Sequence, residues 1–403
     1  MTEHRPAAGL LTNRIRPYAW GSTTAVPALL GTPPTGQPQA ELWLGAHPQA
    51  PSRLHRGTDS EDLTDVIARD PGRELGAATA GRFGARLPFL LKVLAAEHAL
   101  SVQVHPTAAQ AEAGYAAEEA AGIPLDAPHR LYRDRHHKPE MLCALDDFDA
   151  LCGFRHPAAT AGLLAPLHVP ALRPWLDVLR TGDPATALRT VLTEALGPGR
   201  ARATGAATEL TTALARAAER PGPHTRAYAA YAAAARDYPG DPGLVAALLL
   251  NHVHLRPGQA IHLDARVPHA YLHGTGVEIM ANSDNVLRCG LTPKHVDTDA
   301  LAAVVDFRPT EPDVLSPRSD TRGETHYPAP AAEFALSRLD LAGTADLRDH
   351  GPQILLCTGG TARLGQPDGP ALALHRGSSA YLPAATAVRL DGHATLYRAR
   401  VPA

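Results

Sequence analysis

The chain has 403 residues, 44% hydrophobic and 20% charged, with a formal net charge of −3. That length exceeds one ordinary domain and implies two or three, each able to bury a core unaided. The near-zero charge, with no basic run and no zinc-finger spacing, excludes a nucleic-acid partner but leaves room for a small phosphorylated ligand, which needs only a few local cations.

Residues 1 to about 105 read as short strands and turns, punctuated by Pro and Gly and carrying apolar runs such as LPFLLKVL. The Ala- and Glu-rich stretch from about 107 predicts a helix ended at Gly122. Residues 156–250 change to Ala/Leu-rich segments broken by Pro and Gly, which predicts a helical domain inserted in a β framework. The β pattern resumes at LRPGQAIHLDARVPHAYLHG and again from residue 325. These two stretches resemble each other, and aligning Gly258 with Gly377 sets His269 opposite Val388. The expected fold is mainly β with a helical insert. Residues 1–155 and 251–324 form a first jelly-roll β-barrel, 156–250 the inserted α-helical domain, and 325–403 a second, metal-free barrel.

The four cysteines, Cys143, Cys152, Cys289 and Cys357, form no CxxC pair and read as free thiols of a reducing compartment. MTEHRPAAGLL lacks the features of a secretion signal and no run approaches a membrane span, so a cytoplasmic protein with no membrane partner is expected.

Of the 38 Lys and Arg residues only Lys92, Lys138 and Lys294 are lysine. A composition that has shifted nearly every cation to arginine retains an ammonium where a compact, proton-yielding charge is needed. Each of the three lies in a segment that looks specialised on other grounds. In LSVQVHP, Gln103 and His105 are two apart and share a strand face; the alternative is a polar outward face with Val102 and Val104 inward. In HHKPE, Pro139 keeps Lys138 extended, so that Lys138 and Glu140 share a face while His137 points away. The third segment gathers His269, Tyr271, Glu278, Ser283, Asp284, Asn285, Arg288 and Lys294, with His252, His254, His262 and His273 as competitors for any ligand role.

Taken together, these segments resemble the type I phosphomannose isomerase family. YRDRHHKPE (132–140) is similar to its Y-x-D-x-N-H-K-P-E signature, and HAYLHGTGVEIMANSDNVLRCGLTPK (269–294) to its long second signature. YAWGS, ELWLGAHPQAPS, LPFLLKVL and SVQVHP agree with it from residue 18 to 106. His136 stands where the first signature usually has Asn, and Cys289 where the second has Ala; neither replaces a ligand or a charge.

The resemblance implies two cupin-like barrels and one Zn²⁺ per chain, held by Gln103, His105, Glu140 and His269. It also implies interconversion of mannose 6-phosphate and fructose 6-phosphate through a cis-enediol. Zinc and Arg288 would then stabilise the charge that develops on oxygen. For the proton, Lys138 is the first candidate, with its proton affinity lowered by zinc and Arg288, and Tyr271, Asp284, His137 and Glu278 are the alternatives. Lys92, Ser101 and Lys294 are expected at the phosphate, with Lys92 otherwise a residue whose stem lines the barrel edge, and Trp20 is expected at the sugar wall. The rival functions are a hexose-phosphate-binding barrel without catalysis and a metal-dependent cupin oxygenase. The first has no need of a proton carrier, and the second favours histidines and a carboxylate around redox iron rather than a glutamine. A monomer is expected.

Overall fold

The computed structural model describes residues 7–367 and 369–402. Its central element is the long strand His269–Ala281. Gly274–Ala281 runs antiparallel between Phe89–Ala96 and Glu140–Ala144, whereas His269–His273 pairs with Phe148–Phe154 and, at His269, with Gln103 of the short strand Val102–Val104. The change of partners falls at Gly274, where φ is 122° and a Cβ would lie 2.7 Å from the Asp147 carbonyl oxygen. Only glycine passes that crossing without strain. One strand thus belongs to both faces of a jelly roll. Glu41–Gly45 and Arg14–Arg16 extend the sheet on one side, Ala260–Leu263 and Val314–Leu315 on the other, while Leu287–Gly290 pairs with Val102–Val104.

The second sheet is built on the long pairs Ala335–Arg348 with Ala387–Arg400 and Ala387–Arg400 with Gln353–Gly365. Leu355, Leu364, Leu390 and Leu396 close its interior, and Val388 packs among them at 4% exposure. The repeat seen in the sequence has a backbone counterpart. Gly258 and Gly377 take φ of 84° and 87°, and each precedes a four-residue strand and then a long one that begins at His269 or Ala387. The N-terminal part does not stay with one sheet, however. Gly9–Thr12 lies between Ser379–Leu382 and Arg53–Arg56, so the chain's first strand and the Arg53–Asp62 hairpin belong to the C-terminal sheet. A large shared core, with Leu42, Leu91, Met141, Ile279, Phe334, Ile354 and Tyr397, joins the two assemblies.

The N-terminal third also holds short helices that its turn-rich sequence does not suggest, at Ala25–Leu30, Leu63–Arg69, Pro71–Leu75 and Ala77–Phe83. They are set by punctuation: Asp70 caps Pro71–Leu75 by accepting from Arg73 N–H, and Gly31 ends the first in the left-handed conformation. The helix Ala108–Ala120 starts at a capping box between Thr107 and Gln110, and Gly122 follows it at φ 69°. From Pro157 to Leu248 the elements are helical. Their apolar faces pack on the back of the sheet, burying Val102, Val104, Ala270, Leu272, Leu287 and Cys289 in one core with Leu188, Leu210 and Leu248. Among the described residues no helix is long and apolar enough to cross a membrane.

Candidate active site

The strand Val102–Val104 has cover on both sides. Val102 and Val104 are 1% and 0% exposed against the helices, while Gln103 faces a cavity of about 750 Å³. The polar-outward alternative therefore fails, because the helical insert occupies the face where solvent would be. His105 follows on the same side as Gln103, Glu140 opens its strand directly after Pro139, and His269 opens its own opposite Gln103.

His105 Nε2 and His269 Nε2 lie 3.4 and 3.3 Å from Glu140 Oε2, and these three buried atoms hydrogen-bond to nothing. The other ring nitrogens face carbonyls: His105 Nδ1–H donates to Asn285 O at 2.7 Å and His269 Nδ1–H to Val267 O at 3.0 Å. Both Nε2 lone pairs are thereby aimed at the carboxylate. Burial pushes His105 down to about 4, so its ring is neutral at neutral pH. Burial opposes ionisation of Glu140, but Lys138 and His105 outweigh it and hold the carboxyl well below its ordinary value. Three buried acceptors converging without a proton between them are costly unless a cation joins them. Two imidazoles and a carboxylate with all ligand atoms within 4.8 Å are a zinc-type donor set, and Gln103 on the adjoining strand can add a neutral oxygen. His252 and His254 instead flank Asp149, His262 sits by Asp264, and His273 is exposed, so none of these four joins the group.

The cavity brings together most of the other residues singled out from the sequence. Trp20, Ser101 and Tyr271 line it, as do Lys138, Asp284, Glu278, Arg288 and the remaining two lysines. Trp20 stacks on Tyr18 with ring centres 5.7 Å apart. Lys138 Nζ lies 3.0 Å from Glu140 Oε1, so its nearest charged partner is a ligand carboxylate rather than Arg288. Asp284 is held below its ordinary value: burial opposes this, but His47 at 3.4 Å outweighs it, and Gln49 Nε2 donates to its other oxygen at 2.8 Å. Burial, with Glu278 and Glu140 nearby, holds the Tyr271 hydroxyl well above its ordinary value, and that hydroxyl makes no hydrogen bond.

Two of the groups named from the sequence are already paired with acids. His137 does not line the cavity, because backbone alternation turns its ring outward, where Nε2 lies 2.8 Å from Glu333 Oε1. Lys92 lines the cavity with its ammonium already paired. It is 6% exposed, with Nζ 2.9 Å from Glu278 and 3.6 Å from Glu41, and sits 5.4 Å from the Trp43 ring. Burial alone would lower it, but the two carboxylates outweigh burial and fix the ammonium in its charged form. Glu278 in turn is raised by burial against the pull of Lys92.

The cations without carboxylate partners lie elsewhere on the wall. Lys294 is lowered by burial and then by the guanidinium groups of Arg288 and Arg133; Arg288 is lowered by burial and by Arg133. Among the described residues none of these three pairs with an acid, so they form a cluster held together only against its own repulsion. Arg133 was not anticipated; its signal was an arginine inside the 132–140 segment. Asn285 was anticipated only as one of a crowd of polar residues. Its Oδ1 accepts from Arg133 N–H at 2.7 Å and Asp134 N–H at 3.2 Å, while Nδ2 donates to the Asp134 and His136 carbonyls at 2.7 and 2.8 Å. Asp134 completes the knot by accepting from Ser283 Oγ and Asp284 N–H. The His136 departure is absorbed here, since the knot uses its backbone. Cys289 is a buried core thiol, pushed up to about 12 by burial.

The model of the phosphomannose isomerase type I catalytic domain matches residues 10–157. Mannose-6-phosphate isomerase of Salmonella typhimurium is 41% identical over 93% of this chain and 94% of its own, and that of Escherichia coli is 40% identical over 96% and 98%. The solved structure of the Salmonella typhimurium enzyme bound to fructose 6-phosphate and zinc superposes with a TM-score of 0.88 at 39% identity, covering 99% of this chain and all of that one. Agreement of this extent, over both assemblies and the helical segment, shows that the chain belongs to the type I phosphomannose isomerase family.

Proposed function

We propose that the chain interconverts D-mannose 6-phosphate and D-fructose 6-phosphate through a cis-enediol, with one zinc ion held by Gln103, His105, Glu140 and His269. The observation that carries this is the set of three buried, unpartnered acceptor atoms on His105, Glu140 and His269 beside the cavity. The bound metal would supply Lewis-acid stabilisation of the oxygen that gains charge as the proton leaves carbon.

The chain's own side chains supply the rest. Arg133, Arg288 and Lys294 hold the phosphate, since they are the wall's cations without a carboxylate to satisfy. Ser101 adds a hydroxyl to the same wall and Trp20 an aromatic one. Tyr271 keeps its proton and offers an unused O–H to a sugar oxygen. Of the remaining acid and base groups, Glu278 is committed to Lys92, which leaves Lys138 and Asp284 to move the proton between carbons 1 and 2. A group that must give and take a proton loses function when replaced by one that cannot, so Lys138→Arg and Asp284→Asn identify the carrier by collapse of kcat with little change in KM.

The cytoplasm is the compartment that such free buried thiols fit. A coupled assay of mannose 6-phosphate conversion, with and without a chelator, tests the reading. Conversion should vanish with the metal and return with one zinc per chain. Full activity in metal-free protein excludes it. Binding without turnover in the zinc-loaded protein favours the non-catalytic rival.

A further inference from the structure

The helical segment reaches the cavity wall at one turn, between helices Thr225–Asp237 and Gly243–Leu248. Before the turn, Asp237 accepts from Ala99 N–H at 2.9 Å and contacts His98 Nδ1 at 2.9 Å, while Tyr238 O–H donates to Ala99 O at 2.8 Å. These contacts pin the wall that leads to Ser101. After the turn, Asp241 grips the opposite wall. Its Oδ1 accepts from Gly243 N–H at 2.7 Å and Leu291 N–H at 3.3 Å, and its Oδ2 from Thr292 N–H at 3.1 Å.

The gripped backbone is an unfavourable one. Leu291 is fully buried with φ of 52°, a left-handed conformation that a residue with a Cβ rarely adopts. Beside it Gly243 and Gly290 meet so closely that a Cβ on Gly243 would lie 2.3 Å from Gly290 Cα. The turn leads directly to Thr292, whose Oγ1 accepts from Lys294 N–H at 3.1 Å, and so sets where Lys294 enters the cavity relative to Arg288.

We propose that Asp241 is a positioning residue for the phosphate end of the substrate: from the helical segment it holds Leu291 and Thr292 in the conformation that presents Lys294 beside Arg288. The inference rests on reading Arg133, Arg288 and Lys294 as the phosphate-binding cations. Its sign separates it from simple electrostatics. Asp241 is an anion behind a cationic wall, so removing it should strengthen phosphate binding if charge alone matters, whereas loss of positioning weakens it.

The experiment compares Asp241→Ala, Lys294→Ala and the double variant as zinc-loaded enzymes, reading kcat and KM for mannose 6-phosphate and the inhibition constant of inorganic phosphate. Asp241→Ala should raise KM and the phosphate inhibition constant together by about five- to twenty-fold with kcat within about three-fold. Adding it to Lys294→Ala should raise KM little further, because the cation it positions is gone. Should Asp241→Ala fail to fold, Asp241→Asn keeps one acceptor oxygen, forfeits the Thr292 bond, and should show a smaller rise of the same sign. An unchanged or lowered KM, or full additivity with Lys294→Ala, overturns the positioning role. If Lys294→Ala itself leaves both constants unchanged, the phosphate-end reading fails instead.

Discussion

Asn285 is the residue through which loop geometry and metal geometry are joined, and its truncation should damage both. It is 0% exposed, and its amide makes four hydrogen bonds to the backbone of Arg133, Asp134 and His136. Asn285→Ala leaves those groups without that partner; the His136 carbonyl alone retains another, from Ser283 Oγ at 3.1 Å. At about 1–3 kcal/mol per stranded buried group, and allowing water to reach some of them, the expected loss is about 3–5 kcal/mol. The same residue's carbonyl accepts from His105 Nδ1–H and fixes that ring's tautomer, so freeing the segment should also weaken zinc binding by about ten- to a hundred-fold. Urea unfolding of the zinc-loaded and chelated proteins measures the first quantity, and competition with a chromogenic chelator the second. Stability within about 1 kcal/mol of the parent together with unchanged zinc affinity would refute the reasoning.

Other substitutions test the remaining assignments. Lys92→Met strands Glu278 and Glu41 as buried carboxylates, so it should lower stability by about 3–5 kcal/mol; an unaltered melting temperature with only a raised KM would restore Lys92 to the phosphate. Lys294→Ala should raise KM for mannose 6-phosphate about ten-fold or more with kcat nearly kept, as expected for loss of a binding charge, and an unchanged KM would remove it from the phosphate site. Asp149 is lowered to about 2, against burial, by His252 and Arg226. Its folded value lies below the unfolded one, so its contribution is present above about pH 4 and lost as the pH falls toward 2, and after discounting for exposure it is worth roughly 1 kcal/mol. Acid unfolding of Asp149→Asn should therefore differ from the parent above about pH 4 and converge with it below. Deleting residues 325–403 uncovers the apolar face around Leu42, Leu91 and Ile279 and removes the partner of the chain's first strand, so aggregation should precede any loss of chemistry; a soluble, active fragment would contradict the shared core.

What was legible in the sequence was local. The two-residue spacing of Gln103 and His105, the proline before Glu140 and the glycine turns at 258 and 377 each act within a few residues, and each is found in the backbone where the pattern puts it. Partnerships across long separations were not legible. Pairing of Gly9–Thr12 with Ser379–Leu382 depends on which edges remain open after both sheets form, and no nearby residue encodes that. The lysines show the same limit in chemical form. Lys92, Lys138 and Lys294 all line one cavity, as their segments suggested, yet a cation's role depends on its counterion. Glu278 is the cross-strand neighbour of Lys92 through the pairing of Phe89–Ala96 with Gly274–Ala281, so the charge that satisfies Lys92 arrives from a distant stretch of chain. Glu140 satisfies Lys138 from two residues away, which the alternation in KPE did foreshadow. Lys294 is crowded by Arg288 and Arg133. A buried ammonium already paired twice gains little from a phosphate and would lose its partners by turning to one, whereas a cation crowded by its own kind is relieved by an anion. The pairing of Lys92 therefore follows from register, which only the folded sheet supplies.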